Sequence, residues 1–379
     1  MTQANETADV IVIGGGVIGL SVARAIAGRR VASVMIIERA GLGAEASFAA
    51  AGMLAPQAEA DRADDFFSLA CESREMYRAF AAALKEESGT DMELDTTGTI
   101  YLAFNEHDLE EIEQRYEWQT RAGLPVEKLS DKEVRALEPC IGENVRAALR
   151  FPLDGQVENR RLLVALSTAT EKLGVRIVTG TTVESLRIER DRITGVETSR
   201  GFVATRKVVI AAGAWTTFIK AKGVPALRIQ PVRGQMVCFE TSPRIAQHVI
   251  YSPRGYVVPR RDGRLLAGST TEQAGFDRRV TASGVHSILS HALEISPRIS
   301  RLPLIDSWAG LRPRAEDNLP VLGPFAEIDG LFFATGHYRN GILLAPVTGE
   351  LIASLIVDNV VSPRLESFAP DRFEPASVN

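Results

Sequence analysis

A chain of 379 residues, at about 150 residues per domain, suggests two or three domains, and 45% hydrophobic against 24% charged residues excludes disorder, collagen and fibre. A net charge of −5 and a pI of about 5.7, with no basic block, exclude a dedicated binder of nucleic acid or of anionic membranes, both of which need a cationic face. Cys71, Cys140 and Cys238 are far apart and odd in number, so neither a disulfide framework nor a CxxC pair is expected, and a reducing cytoplasm fits best.

The apolar stretch at residues 10–23 follows Glu6 and Asp9 instead of basic residues and contains four glycines, so an export signal is not expected there. No uninterrupted apolar run reaches the roughly 18 to 20 residues that span a bilayer, so no integral membrane segment is expected. Residues 9–13 are β-branched enough for a buried strand, 14–19 form a glycine turn, and 17–28 read as a helix ending on a C-cap-like glycine. A second strand at 32–37, closed by Glu38, completes a βαβ unit. The Ala-, Gly- and Ser-rich stretch 41–56 reads as a loop whose small side chains let backbone approach a ligand.

Apolar residues from Phe66 to Leu84 recur at helical spacing, which predicts one long helix or two over 61–87. A strand at 99–104, a charged helix at 107–121 and a capping box of Ser130 with Glu133 follow. Asn159 is expected to cap a helix running to Leu173 and stopped by Gly174. Four β runs, 175–178, 183–188, 193–197 and 202–210, read mostly as a meander that returns to a buried strand at Val208, Val209 and Ile210. Another sheet is expected over 228–268, where strands 256–260 and 264–268 flank Asp262-Gly263, a type I′ hairpin signal. An amphipathic helix at 281–295 precedes a strand at 331–334, a glycine turn at 336–341 and a helix at 342–358. The chain reads as a dinucleotide domain assembled from separated stretches, with a mainly antiparallel domain inserted between them.

Chemistry concentrates in two places. Gly14-Gly15-Gly16-Val17-Ile18-Gly19 matches GxGxxG between a strand and a helix: the first glycine permits the turn, the second lets backbone reach a pyrophosphate, and the third lets helix and strand pack closely. The phosphates then lie at the positive helix N-terminus. Glu38, 19 residues beyond Gly19, suits a ribose diol, and Arg39 beside it leaves NADP open. This unit serves NAD and FAD alike. The run 206–215, which breaks into small residues at Ala211-Ala212-Gly213, and the strand-to-helix turn 332–342 favour a flavin, because backbone N–H groups at that helix start can stabilise the negative charge of a reduced flavin.

These residues, with Ala49-Ala50-Ala51-Gly52-Met53-Leu54, Trp308-Ala309-Gly310-Leu311-Arg312-Pro313 and Gly336-His337-Tyr338-Arg339-Asn340-Gly341-Ile342-Leu343-Leu344-Ala345-Pro346, resemble the D-amino-acid-oxidase-like, glutathione-reductase-type FAD oxidoreductases, and within them the glycine-oxidising branch of thiamine biosynthesis. The resemblance covers nearly the whole chain. It implies an α/β fold (α+β overall): a Rossmann-like FAD-binding domain of residues 1–88, 152–228 and 306–379, with an inserted, mainly antiparallel β substrate domain of 89–151 and 229–305.

FAD is expected to be noncovalent, since covalently flavinylated cousins use a late cysteine and none follows Cys238. It would be held by Gly14, Gly15, Gly16, Val17, Ile18, Gly19, Glu38, Arg39, Ala46, Ser47, Ala51, Gly52, Met53, Val183, Gly213, His337, Arg339, Asn340, Gly341, Ile342 and Leu343. Arg312 is implied as the clamp for a substrate carboxylate, Arg339 as a second substrate-facing group and Tyr256 as an aromatic hydroxyl over the pocket. An arginine fork meets a carboxylate in two parallel hydrogen bonds, which lysine does not reproduce. Arg312 could instead be a buried ion pair with Glu316 or Asp317, Arg339 a loop fastener, and Tyr256 plain core.

The family has a methionine after the hairpin strand where this chain has Thr271, which suggests a smaller, polar wall. His337 is expected beside the flavin without serving as a base, since no acid or base is required: the unprotonated amine assists direct hydride departure from Cα to flavin N5. No histidine has metal-ligand spacing, so no metal is expected.

The implied activity is oxidation of a small amino acid, glycine, sarcosine or D-alanine, to its imine. Oxygen then gives hydrogen peroxide, and the imine is either hydrolysed or passed to a thiazole synthase. Relatives of this kind form homo-oligomers, a tetramer among the options. The rivals are a dehydrogenase for D-amino acids or proline with a non-oxygen acceptor, a nicotinamide-dependent dehydrogenase, and a non-catalytic dinucleotide binder.

Overall fold

In the computed structural model, which describes residues 6–30, 33–224 and 227–373, the β-branched runs assemble into a six-stranded sheet. Its order is Val321–Pro324, Leu331–Thr335, Lys207–Ile210, Val10–Ile13, Val34–Ile37, Arg176–Val178. All neighbours are parallel except the first pair. Such strands are covered on both faces, which is why Val10–Ile13 and Val34–Ile37 are apolar without alternation. Ala32, placed in the second strand by sequence, lies outside the described residues.

One face carries the helices Val17–Gly28, Asp65–Ser88, Asn159–Lys172 and Gly341–Ala353. The other carries a four-stranded sheet in the order Glu6–Thr7, Gly201–Ala204, Arg192–Thr198, Val183–Glu189. The run 202–210 is therefore two strands in different sheets, and Arg176–Val178 leaves the meander for the parallel sheet.

An eight-stranded sheet forms the second module, ordered Leu304–Arg314, Gln230–Glu240, Arg264–Gly268, Gly255–Pro259, Val249–Ser252, Thr99–Ala103, Ala147–Phe151, Glu127–Ser130. Only Val249–Ser252 with Thr99–Ala103 is parallel. Because Leu304–Arg314 pairs along Gln230–Glu240, a boundary between residues 305 and 306 cuts through a strand of this sheet.

Several local expectations change. The hairpin turn is not type I′: Gly263 alone takes positive φ (89°), Gly263 N–H donates to the Arg260 carbonyl, and Arg260 N–H to that of Arg264. This is a three-residue loop, a tight turn followed by a left-handed glycine. Glu158, not Asn159, caps the helix Asn159–Lys172 by accepting from Arg161 N–H. Gly28 is the last helical residue, and Arg30 takes the positive φ of 55°.

The C-terminal helix Gly341–Ala353 continues as a wider turn, Ser354–Asp358. Among the described residues this is the one helix long and apolar enough to cross a membrane, although Glu350 and Asp358 interrupt it; it is two-thirds buried and packs on Val17–Gly28 and Asp65–Ser88. Pro346 lies inside it and has no N–H for the Ile342 carbonyl four residues back. The Tyr77 hydroxyl donates to that carbonyl instead, and burial keeps the phenol protonated by raising its pKa. Ser73 Oγ donates to the next carbonyl, of Leu343, at 2.6 Å. Tyr77→Phe should therefore cost about 1 to 3 kcal/mol in urea unfolding, the penalty of one buried unpaired carbonyl. An unchanged midpoint would show that Ile342 finds another donor.

Candidate active site

A cavity of about 430 Å³ runs from the glycine turn to the inner face of the eight-stranded sheet. At one end the three glycines differ in what a side chain would meet. A Cβ on Gly14 (φ 109°) would lie 2.5 Å from the Ala211 carbonyl oxygen, and one on Gly19 would lie 1.9 Å from that of Gly14. A Cβ on Gly16 would approach only Ser47 Oγ, at 3.2 Å, so the space above it is open. The helix Val17–Gly28 has no side-chain N-cap of its own; Ser47 Oγ accepts from Val17 N–H at 3.0 Å. A dinucleotide pyrophosphate fits this opening at a helix N-terminus.

Glu38 accepts from Gly15 N–H (2.7 Å) and Ala40 N–H (2.8 Å), which fixes its carboxylate on the cavity wall with lone pairs left for a ribose. Arg39 is engaged elsewhere: its guanidinium lies 3.5 Å over the Trp215 ring and pairs with Glu45. It therefore offers no free cation for the extra phosphate of NADP.

Where the eight-stranded sheet lines the cavity, Arg312 and Tyr256 share the wall with Arg339. Arg312 donates to the Thr270 carbonyl (3.0 Å) and to Ser269 Oγ (2.7 Å), and Gly234 opposite leaves room for it, since a Cβ there would lie 2.1 Å from its guanidinium. Glu316 and Asp317, the alternative ion-pair partners, are bound to Arg228 (3.4 Å) and Arg372 (2.7 Å). Among the described residues Arg312 has no carboxylate partner, and its charge faces the cavity.

Arg339 donates to Tyr251 Oη at 2.9 Å and lies 4.0 Å from Glu59, whose carboxylate raises its pKa. Tyr256 stacks on Tyr251 at 5.7 Å, and Tyr251 on Tyr101 at 5.4 Å. The Tyr256 hydroxyl reaches Met236 Sδ at 3.4 Å.

Most residues read from sequence as flavin-facing line the cavity: Gly14, Gly16, Val17, Ile18, Glu38, Arg39, Ala46, Ser47, Ala51, Gly52, Met53, Val183, Gly213, His337, Arg339, Asn340, Gly341 and Ile342. Gly15, Gly19 and Leu343 do not. Gly15 serves Glu38, Gly19 serves helix packing, and Leu343 is core. Thr271 is exposed and off the wall, so the expected polar wall is not there; its neighbours Ser269 and Thr270 act by holding Arg312.

The sequence reading missed Glu59 and gave Trp215 no role. Glu59 ends the short helix Pro56–Glu59, whose first N–H groups, of Gln57 and Ala58, donate to buried Asp154 at 3.3 and 3.0 Å. Asp154 is 97 residues from Gln57, and no local signal links them.

His337 is buried, with Nε2 3.1 Å from Thr348 Oγ1, and burial lowers its pKa from 6.5 to about 3. It is neutral at working pH, and its Nε2 is engaged by Thr348 of the helix Gly341–Ala353 that follows it. The unfolded chain takes up a proton near pH 6.5 that the folded chain refuses until about pH 3. Stability is thus full above the first value and falls on acidification by about 1.4 kcal/mol per pH unit. Urea unfolding between about pH 7 and about pH 4.5 should show a shallower decline in His337→Asn than in the wild type. Equal slopes would mean that the ring protonates in the fold.

None of the three cysteines, all unpaired, lines the cavity. A family model described as "DAO: FAD dependent oxidoreductase" matches residues 9–355. The chain is 38% identical to a glycine oxidase of Geobacillus kaustophilus over 350 residues, 92% of each chain. It is 35% identical to the bifunctional protein ThiO/ThiG of Synechocystis over 97% of this chain and 54% of that one, so it spans about half of that protein. The crystal structure of the Geobacillus kaustophilus glycine oxidase superposes with a TM-score of 0.94 at 36% identity, covering 97% of this chain and 99% of the other.

Proposed function

The chain belongs to the family of FAD-dependent oxidoreductases and is an FAD-dependent amino-acid oxidase, and on that premise we propose that it oxidises glycine or another small amino acid, sarcosine or D-alanine, to its imine, with oxygen as final acceptor and hydrogen peroxide as product. The observation that carries this reading is Arg312, a guanidinium without a carboxylate partner among the described residues, fixed by Ser269 and Thr270 on the cavity wall that the eight-stranded sheet supplies.

Bound FAD supplies the acceptor for the electron pair that leaves the substrate Cα–H bond. Arg312 orients the substrate by its carboxylate, Tyr256 closes the pocket above it, and Arg339 with Glu59 completes the wall. Glu38, the open face of Gly16 and the N-terminus of Gly341–Ala353 hold the cofactor, and no cysteine lies on the wall to attach it. His337, neutral and bound to Thr348, moves no proton. The separation into residues 1–88, 152–228 and 306–379 for FAD and 89–151 and 229–305 for substrate belongs to the same reading, except that the strand Leu304–Arg314 goes whole with the substrate sheet. So does a place in thiamine biosynthesis, with the imine handed to a thiazole synthase, which the likeness to a ThiO/ThiG protein supports.

Anaerobic titration with glycine, sarcosine, D-alanine and proline should bleach the flavin with one of the first three. Readmitted oxygen should restore the colour with one peroxide per substrate. Bleaching that persists in air would instead identify a dehydrogenase. Activity should climb toward alkaline pH, because an ammonium has no lone pair to assist, and His337→Ala should keep that climb.

A further inference from the structure

Arg260 is 2% exposed and follows the strand Gly255–Pro259 that carries Tyr256. Its guanidinium meets only neutral acceptors: Gln156 Oε1 (2.8 Å), the Val157 carbonyl (2.9 Å), the Ala51 carbonyl (2.7 Å) and Asn159 Oδ1 (3.1 Å). Nε has no partner, and among the described residues no carboxylate pairs with it. Glu158, the main opposing charge nearby, is tied to Arg264 and to Arg161 N–H. Burial lowers its pKa to about 10, so it stays charged at neutral pH. An isolated buried cation is costly unless something nearby uses its charge.

What it touches is the back of the cavity wall. Ala51, Gly52 and Met53 line the cavity and Arg260 does not, so Arg260 approaches the Ala51 carbonyl from behind. Asn159 Nδ2 takes the carbonyls of Ser47 (2.9 Å) and Phe48 (3.0 Å), and Trp308 Nε1 takes that of Ala49 (3.1 Å). Three side chains thus draw the carbonyls of one wall segment outward. In a trans peptide C=O and N–H point in opposite directions. With the Ala51 carbonyl held outward, the Gly52 N–H faces the cavity, and no acceptor for it exists among the described residues.

We infer that Arg260 is a positioning residue that orients and polarises the Ala51–Gly52 peptide, so that the Gly52 N–H donates to the flavin ring and raises its electron affinity. A charged donor on the carbonyl strengthens the bond made by the N–H of the same peptide. The inference rests on the ring lying at the Tyr256 end of the cavity, where Ala51 and Met53 pack with Tyr256 and Met236.

The test uses FAD-saturated holoenzyme, with sulfite as the probe because its affinity for oxidised flavin follows electron affinity. R260M should bind sulfite at least tenfold more weakly than the wild type and show a more negative midpoint potential. R260K, which keeps the charge in the core but cannot reach all four acceptors, should fall between them. A role confined to folding would lower Tm and FAD affinity and leave sulfite affinity in the saturated enzyme unmoved. A fall of less than threefold in R260M, or in R260K if R260M yields no folded holoenzyme, overturns the proposal, and a larger fall supports it. Acetate checks the ring placement separately: it should perturb the wild-type flavin spectrum and not that of R312A. Absence of any acetate effect removes the placement, whereas a normal acetate effect with unchanged sulfite binding removes Arg260 alone.

Discussion

Arg312→Ala should weaken carboxylate binding by about 2 to 5 kcal/mol, roughly 30-fold to several thousand-fold in affinity, because it removes one partner of a desolvated charge pair. Two features make the loss hard to replace. The guanidinium is held from behind by Ser269 and Thr270, so its fork is aimed before substrate arrives. Gly234 leaves the volume it fills, and alanine leaves that volume to water. Arg312→Lys should recover only part of the loss, since a single ammonium lacks the planar pair of donors. Acetate affinity, measured through the flavin spectrum, isolates binding from turnover. If KM and kcat for glycine survive in Arg312→Ala, the clamp lies elsewhere, and Arg339 is the next group to test.

The glycine turn should separate two kinds of failure. G19A places a methyl 1.9 Å from a backbone oxygen that cannot yield, so the apoprotein itself should lose about 1 to 3 kcal/mol or more. G16A meets only a hydroxyl at 3.2 Å, so the apoprotein Tm should hardly move. The added methyl occupies the open side of the turn, and FAD affinity should drop roughly 10- to 100-fold. Paired measurements of apoprotein Tm and FAD dissociation read the contrast. Equal loss of Tm in both variants would mean that the space above Gly16 is not a phosphate seat.

The parts legible in sequence were those whose cause is local. Buried parallel strands read as apolar runs, the capping box of Ser130 with Glu133 forms as spaced, and the glycine turn sits between its strand and helix. What escaped depends on partners distant in the chain. Asn159 looks like a cap, yet its amide serves Ser47 and Phe48 more than 100 residues away, which leaves the capping to Glu158. Asp262-Gly263 marks a turn, but the single positive φ at Gly263 makes it a longer one than the dipeptide implies. Thr271 draws attention by its type, while the flanking Ser269 and Thr270 carry the geometry. Arg260 sits in an ordinary hairpin and offers no signal at all.

The order of strands in the parallel sheet has a consequence for biosynthesis. The cavity on it is lined both by Ile13 at the end of Val10–Ile13 and, more than 300 residues later in the chain, by Ala334, Thr335, Gly341 and Ile342. A nascent polypeptide emerging from the ribosome has its nucleotide-turn motif early, but the opposite wall is missing until Leu331–Thr335 and Gly341–Ala353 have followed it. Cofactor capture therefore waits for those later elements, and the exposed edge of Lys207–Ile210 must be kept from mispairing until Leu331–Thr335 arrives.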